Sequence, residues 1–147
     1  MSLCHGRNGL VLQTNFNIYL DPRWGRGQEV PSECPFHSSQ YVEAWLSGVQ
    51  APEGPGGAPL AALSCKHFTA YSFEGAGGWP FPAWDENRHN FNAVVSERDL
   101  QETHFPVYQT CAKAGAMGMM SAYNAVNGVP MAANGCLGSK SFATRIV

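Results

Sequence analysis

Apolar and polar positions alternate along residues 9–20, GLVLQTNFNIYL, with Val11, Phe16 and Ile18 as β-formers, and this alternation predicts a first strand. Pro22, Gly25, Gly27, Pro31 and Pro35 then punctuate a long loop over 21–37. The period changes at residue 38. Val42, Trp45, Leu46 and Val49 fall on one face at helical spacing and predict a helix over 38–49, its first turn capped by Ser38 or Ser39. The breaker-rich stretch APEGPGGAP (51–59) ends it, and residues 60–65 form a short apolar run of strand length. A loop rich in Gly, Trp and Pro covers about 69–95. Ser96, with Asp99 in a capping-box-like position, starts a second helix that kinks near Pro106 and stops at Gly115. Residues 116–122 predict a third strand, and residues 124–134 a third loop with Asn127-Gly128 as its turn.

The order is β-α-β-α-β, which implies an α/β class with parallel strands and crossover helices. It places DPRWGRGQE (21–29) after strand one, KHFTAY (66–71) at the end of strand two and YNAVNG (123–128) at the end of strand three, while the loops at the opposite edge carry no comparable polar cluster. Carboxyl ends of parallel strands are where α/β folds bind ligands. The slice therefore reads as the lining of a binding site.

Composition sharpens this picture. With 44% apolar residues and a net charge of −2, the 147-residue chain is neither disordered nor an electrostatic nucleic-acid binder. Only 14% of its residues are charged, against about 25% in a typical domain. Together with 16 glycines and 10 prolines, that suggests a loop-rich slice of a larger interior. No apolar run reaches the roughly 18 residues of a membrane helix, and the start, MSLCHGRNGLVLQ, does not read as a signal peptide. Five widely spaced cysteines form no CxxC pair and read as free, mostly buried thiols. GCLGSKS (135–141) lacks the second glycine of a phosphate loop, and neither a cofactor fingerprint nor a metal-ligand set is present.

Three constellations carry chemistry, each open to two readings. Arg23 and Arg26, with Asp21, Trp24 and Glu29, either present an anchored guanidinium fork to vicinal hydroxyls or brace their own loop. Lys66 and His67 either offer paired donors at a strand end or are a paired lysine and a core histidine. Tyr123, Asn124 and Asn127 either contact a ligand or build a turn. Trp24, Trp79, Trp84 and Tyr71 sit in loops, where flat rings suit a sugar face as well as loop packing.

The blocks NFNIYLDPRWGRGQEVPSECPF, LSCKHFTAY, FNAVVSERDLQETHFPVY and SAYNAVNGVP, in this order, resemble glycoside hydrolase family 3, most closely its β-xylosidase and α-arabinofuranosidase branch. The resemblance covers about residues 6–134, with a divergent tail over 135–147; Leu20, Cys34 and the Trp/Pro-rich loop at 74–88 depart from the pattern. It implies a partial TIM-like (β/α)8 barrel, so that 1–147 is an incomplete N-terminal catalytic domain. It also implies that Arg26, Lys66, His67 and Tyr123 hold a sugar in the −1 subsite, with Asp21 and Glu29 supporting. Retaining hydrolysis needs two carboxyl groups about 5–5.5 Å apart. In the family these are an Asp on a later strand and a Glu from a second domain, and neither segment is in this chain.

The expectation is a retaining glycosidase by resemblance, inactive as this chain alone, acting on β-linked xylosides or arabinosides without cofactor, metal, nucleic acid or membrane. The alternatives are a non-catalytic carbohydrate-binding or regulatory remnant and a flavodoxin-like sheet. Relatives are commonly secreted. Three strands cut from a barrel also leave open edges, which predicts that Leu63, Met119 and Ala122 lose packing partners.

Overall fold

The computed structural model describes residues 11–52, 54, 57–75, 87–135 and 137. In chain order its elements are β1 (Val11–Asn15), α1 (Pro35–Val49), β2 (Ala62–Phe68), β3 (Asn92–Ala93), α2 (Glu97–Asp99), α3 (Phe105–Lys113), β4 (Gly118–Ser121), β5 (Ala125–Val126) and β6 (Val129–Pro130). The strands β1, β2 and β4 form one parallel sheet with β2 in the middle. Asn15 stands opposite Lys66 on one side, and Lys66 opposite Met120 on the other. All three strand ends thus share one edge, as the β-α-β-α-β order requires.

Leu63 and Cys65 of β2, Val42 and Leu46 of α1, and Phe105, Tyr108 and Cys111 of α3 meet in a single buried cluster. Leu63 and Ala122 are buried, so the expected loss of partners does not occur there, whereas Met119 is only partly buried. Apolar exposure falls instead on Phe36 and Val94, at 70% and 84%.

The element boundaries differ from the sequence expectation for identifiable reasons. Helix α1 begins at Pro35, three residues before the expected start, because proline suits the first helical position, where no amide hydrogen is needed. Cys34 is its N-cap, while the Ser39 hydroxyl donates back to the Pro35 carbonyl at 2.7 Å. Strand β2 runs on through Phe68, so Lys66 and His67 lie within the strand rather than after it. Its register against β4 slips between Lys66 and Phe68.

The Ser96 cap behaves as expected. Its Oγ accepts the Asp99 amide at 3.0 Å and donates to the Asp99 carboxylate at 2.7 Å. The kink takes the form of a π-helical turn over Leu100–His104, joining α2 to α3 just before Pro106. Proline lacks an N–H, and its ring collides with the carbonyl four residues back; widening the turn relieves both. Gly115, at φ +84, closes the helix.

Two expected loops contain strands. β3 pairs in parallel with β5, and β5 pairs antiparallel with β6 through a turn at Asn127 (φ +50) and Gly128 (φ +84). Positive φ at both positions is the primed-turn geometry that Asn-Gly favours. Residues 76–86, including Trp79 and Trp84, lie outside the described residues.

The cysteine reading needs correction. Cys65 of β2 and Cys111 of α3 are joined by a disulfide, both fully buried, while Cys34 is free and exposed. Cys4 and Cys136 lie outside the described residues. Bridging a separation of 46 residues removes enough chain entropy from the unfolded state to contribute up to about 4 kcal/mol. Replacing both residues by alanine is therefore expected to lower the thermal midpoint by roughly 10 °C or more. A thermal melt followed by circular dichroism checks this, and thiol labelling of the native protein should spare Cys65 and Cys111 until the chain is unfolded and reduced.

Candidate functional site

The end of β2 is fixed by a side-chain clamp. The Asn17 amide donates to the His67 carbonyl at 2.9 Å, and its oxygen accepts the His67 amide hydrogen at 2.9 Å. The Tyr108 hydroxyl donates to the same carbonyl at 2.7 Å from α3. Backbone groups buried where a sheet ladder ends need partners, and Asn17 and Tyr108 supply them.

That clamp also sets the state of the histidine. The Asn17 oxygen lies 3.1 Å from His67 Nδ1, so Nδ1 carries the proton there and Nε2 keeps its lone pair. Burial first, then the charges of Arg26 and Lys66, lowers the His67 pKa to about 4. His67 is therefore neutral near pH 7 and offers Nε2 as an acceptor for a hydroxyl donor. Lys66, its neighbour, is half-buried, and no ion pair to it forms among the described residues.

Arg26 reaches the same edge from the loop after β1. Its Nε and Nη2 donate to the two Glu29 oxygens at 2.8 and 2.6 Å, a fork that fixes the plane of the guanidinium and leaves Nη1 outside the pair. The pair raises the pKa of Arg26 and lowers that of Glu29, so both stay charged. The Asn15 amide, at the end of β1, adds a 3.4 Å bond to Glu29. Gly27 is required by close approach: a Cβ there would run into the Tyr19 ring.

A second carboxylate, Glu74, lies beside this fork. It accepts from the Tyr71 hydroxyl at 2.7 Å and the Trp24 indole N–H at 3.0 Å, and it pairs with Arg88 at 3.5 Å. Burial, then the bond to Glu74, pushes the Tyr71 pKa up to about 12. The Arg88 guanidinium lies 5.7 Å from the centre of the Tyr123 ring, and His89 lies against the same ring at 4.7 Å. A continuous chain of contacts thus runs Glu29–Arg26–Glu74–Arg88–Tyr123 along the carboxyl edge, with His67 packed on Tyr71 at 4.9 Å.

Arg26, Lys66, His67 and Tyr123 accordingly stand at one edge, with Glu29 beside them. Asp21 does not join them. It pairs with Arg23 at 2.6 Å, a bond that lowers its pKa to about 2 and braces the loop after β1. Asn124 and Asn127 serve the backbone: Asn124 donates to the Thr69 carbonyl, and Asn127 exchanges two bonds with Val95. Trp24 and Tyr71 are buried in loop packing. Sequence reasoning missed Asn17, Glu74 and Arg88. A Tyr71-x-x-Glu74 spacing in an irregular loop was the one available signal.

A probable exo-1,4-β-xylosidase of Aspergillus terreus is 43% identical over 132 residues, which is 88% of this chain and 16% of that protein. Its Aspergillus fumigatus counterpart is 44% identical over 134 residues, 90% of this chain and 16% of that protein. A solved exo-β-xylosidase of glycoside hydrolase family 3, in complex with a xylobiose aziridine probe, superposes with a TM-score of 0.68 at 29% identity over 80% of this chain and 14% of its own. The curated homologues of this chain are exo-1,4-β-xylosidases. The β-glucosidase DesR of Streptomyces venezuelae, in complex with D-glucose, gives a TM-score of 0.73 at 30% identity over 90% of this chain and 15% of its own. No family model matches the chain. The parallel β1-β2-β4 sheet with its helices is an α/β arrangement, and its structural neighbours are family 3 N-terminal TIM-barrel domains. The chain spans about 16% of the length of the curated relatives it matches.

The neutral His67 has a consequence for stability. Its folded pKa of about 4 lies below the unfolded value of 6.5, so the unfolded state binds more protons in that window. Stability contributed by this group is full above about pH 6.5 and is lost as pH falls toward about 4. His104, whose pKa burial also lowers, acts with the same sign. Thermal midpoints measured from pH 7 to 4 should fall, and His67→Gln should flatten part of that slope.

Proposed function

We propose that this chain forms part of the −1 subsite of a retaining β-xylosidase-type glycosidase, within that enzyme's N-terminal barrel domain. The observation that carries the reading is the shared edge. The Arg26 fork from the loop after β1, the Lys66 ammonium and the neutral His67 acceptor from the last residues of β2, and the Tyr123 hydroxyl from the loop after β4 stand along one edge of a sheet that resembles a family 3 barrel slice. Fixed donors and acceptors of this kind match the ring of hydroxyls on a pyranose, and the half-exposed aromatic Tyr123 suits its C–H face.

The reacting carboxyl groups come from other residues in this reading. Glu29 and Glu74 at this edge are both committed to guanidinium groups, which suits holding a sugar rather than attacking it. Xylosides are the first choice of ligand because the curated relatives are exo-1,4-β-xylosidases; arabinosides are the second. An oxidising compartment is part of the same proposal, supported by the buried Cys65–Cys111 bond.

Titrating the labelled chain with methyl β-xyloside and following amide and side-chain NMR signals tests the reading. Saturable shifts at Arg26, His67 and Tyr123 are expected. Arg26→Ala or Lys66→Ala, each removing a charge-assisted hydrogen bond, should raise Kd at least about tenfold. No hydrolysis of an aryl β-xyloside is expected. Absence of binding, or turnover that disappears when Glu29 or Glu74 is replaced, would overturn the proposal.

A further inference from the structure

We propose that Glu74 is the positioning residue of this edge: its carboxylate sets where Arg88, and with it Tyr123, stands relative to the Arg26 fork. The inference rests on the sugar-subsite reading above and assigns it a residue outside the Arg-, Lys-, His- and Tyr-bearing motifs. Glu74 gathers partners from three segments. Its Oε1 takes Tyr71 from its own loop and Trp24 from the loop after β1, while Arg26 Nε lies 4.0 Å away. Its Oε2 faces Arg88 Nη1 at 3.5 Å, and its backbone carbonyl accepts the Arg88 amide hydrogen at 2.8 Å. The side chain is 19% exposed, so these contacts are only partly screened by water.

The two oxygens divide the labour. Oε1 satisfies two neutral donors and holds the loop. Oε2 meets a cation whose guanidinium covers Tyr123 and whose Nε donates to His89 at 3.2 Å. Glu29 already holds two nitrogens of Arg26, so Arg26 keeps its plane without Glu74. Arg88 forms no other ion pair among the described residues. The charge on Glu74 is therefore what places Arg88, and a purely structural staple would need only an oxygen at Oε1.

Glu74→Gln separates the two roles. The amide oxygen still accepts from Tyr71 and Trp24, but the amide nitrogen presented to Arg88 cannot accept its hydrogen. In the labelled 147-residue chain, the Trp24 indole signal should stay near its wild-type position, while the Arg88 Nε–H and Tyr123 ring signals move. The Kd for methyl β-xyloside should rise about tenfold. Glu102→Gln, which breaks the exposed Arg98–Glu102 pair on the helix, is the control and should leave all of these unchanged. Wild-type Arg88 and Tyr123 signals in Glu74→Gln would overturn the inference. So would a control that weakens binding equally.

If wild-type chain binds no xyloside, the subsite reading fails, while positioning is still decided by the Arg88 and Tyr123 signals alone. If Glu74→Gln does not fold, Glu74→Asp keeps the charge on a shorter arm. It must then move the Arg88 signal, and an unmoved signal overturns the inference.

Discussion

The clamp on the last residues of β2 is the constraint from which the rest of the edge follows. A buried central strand that leaves its sheet must hand over its amide and carbonyl groups to new partners, since an unpaired buried group costs about 1–3 kcal/mol. Asn17 meets both groups of His67, and Tyr108 doubles the bond to its carbonyl from the helix side. One residue before Lys66, Cys65 is tied to the same helix. The strand end is thus held by the chain before it and by the helix after it, and the directions of Lys66 and His67 are consequences of that double anchorage.

Electrostatics at the edge follow a different logic from the chain as a whole. A sequence with few charges concentrates Arg26, Glu29, Glu74 and Arg88 within one connected network. The sugar proposed as ligand is neutral and offers no net charge to attract, so what would serve it is orientation rather than field. Guanidinium groups already held by carboxylates have lost their rotamer freedom before any ligand arrives, which lowers the entropy that binding must overcome. Burial first, and then the neighbouring cations Arg26 and Lys66, keep His67 in its neutral form, with Glu29 opposing them.

Much of the frame was legible in the sequence because it depends on periodicity and local chemistry. The stripe Val42–Trp45–Leu46–Val49 marked α1, Ser96 and Asp99 marked the second cap, and Asn127-Gly128 marked a turn. What escaped depends on geometry across the chain. Cys65 and Cys111 have no spacing signature; only the packing of β2 under α3 brings them together. Asn17 read as one polar position in an alternating strand, yet its function is to pair with a residue 50 positions away. Asp21, in the same motif as Arg26, is paired with Arg23 two residues on, a local bond that the motif alone did not distinguish from a role at the edge.

The π-helical turn at Leu100–His104 has its own bearing on this arrangement. A π turn closes its hydrogen bond over five residues rather than four, so the helix continues while the wider turn absorbs the extra length. Leu100 and His104 in that turn, and Phe105, Val107, Tyr108 and Cys111 beyond it, are all buried. Both ties from this helix to β2, the Tyr108 hydroxyl on the His67 carbonyl and the Cys111 sulfur on Cys65, come from the stretch just past the widened turn. The chemistry at the end of a strand thereby depends on how one irregular turn of a distant helix is wound.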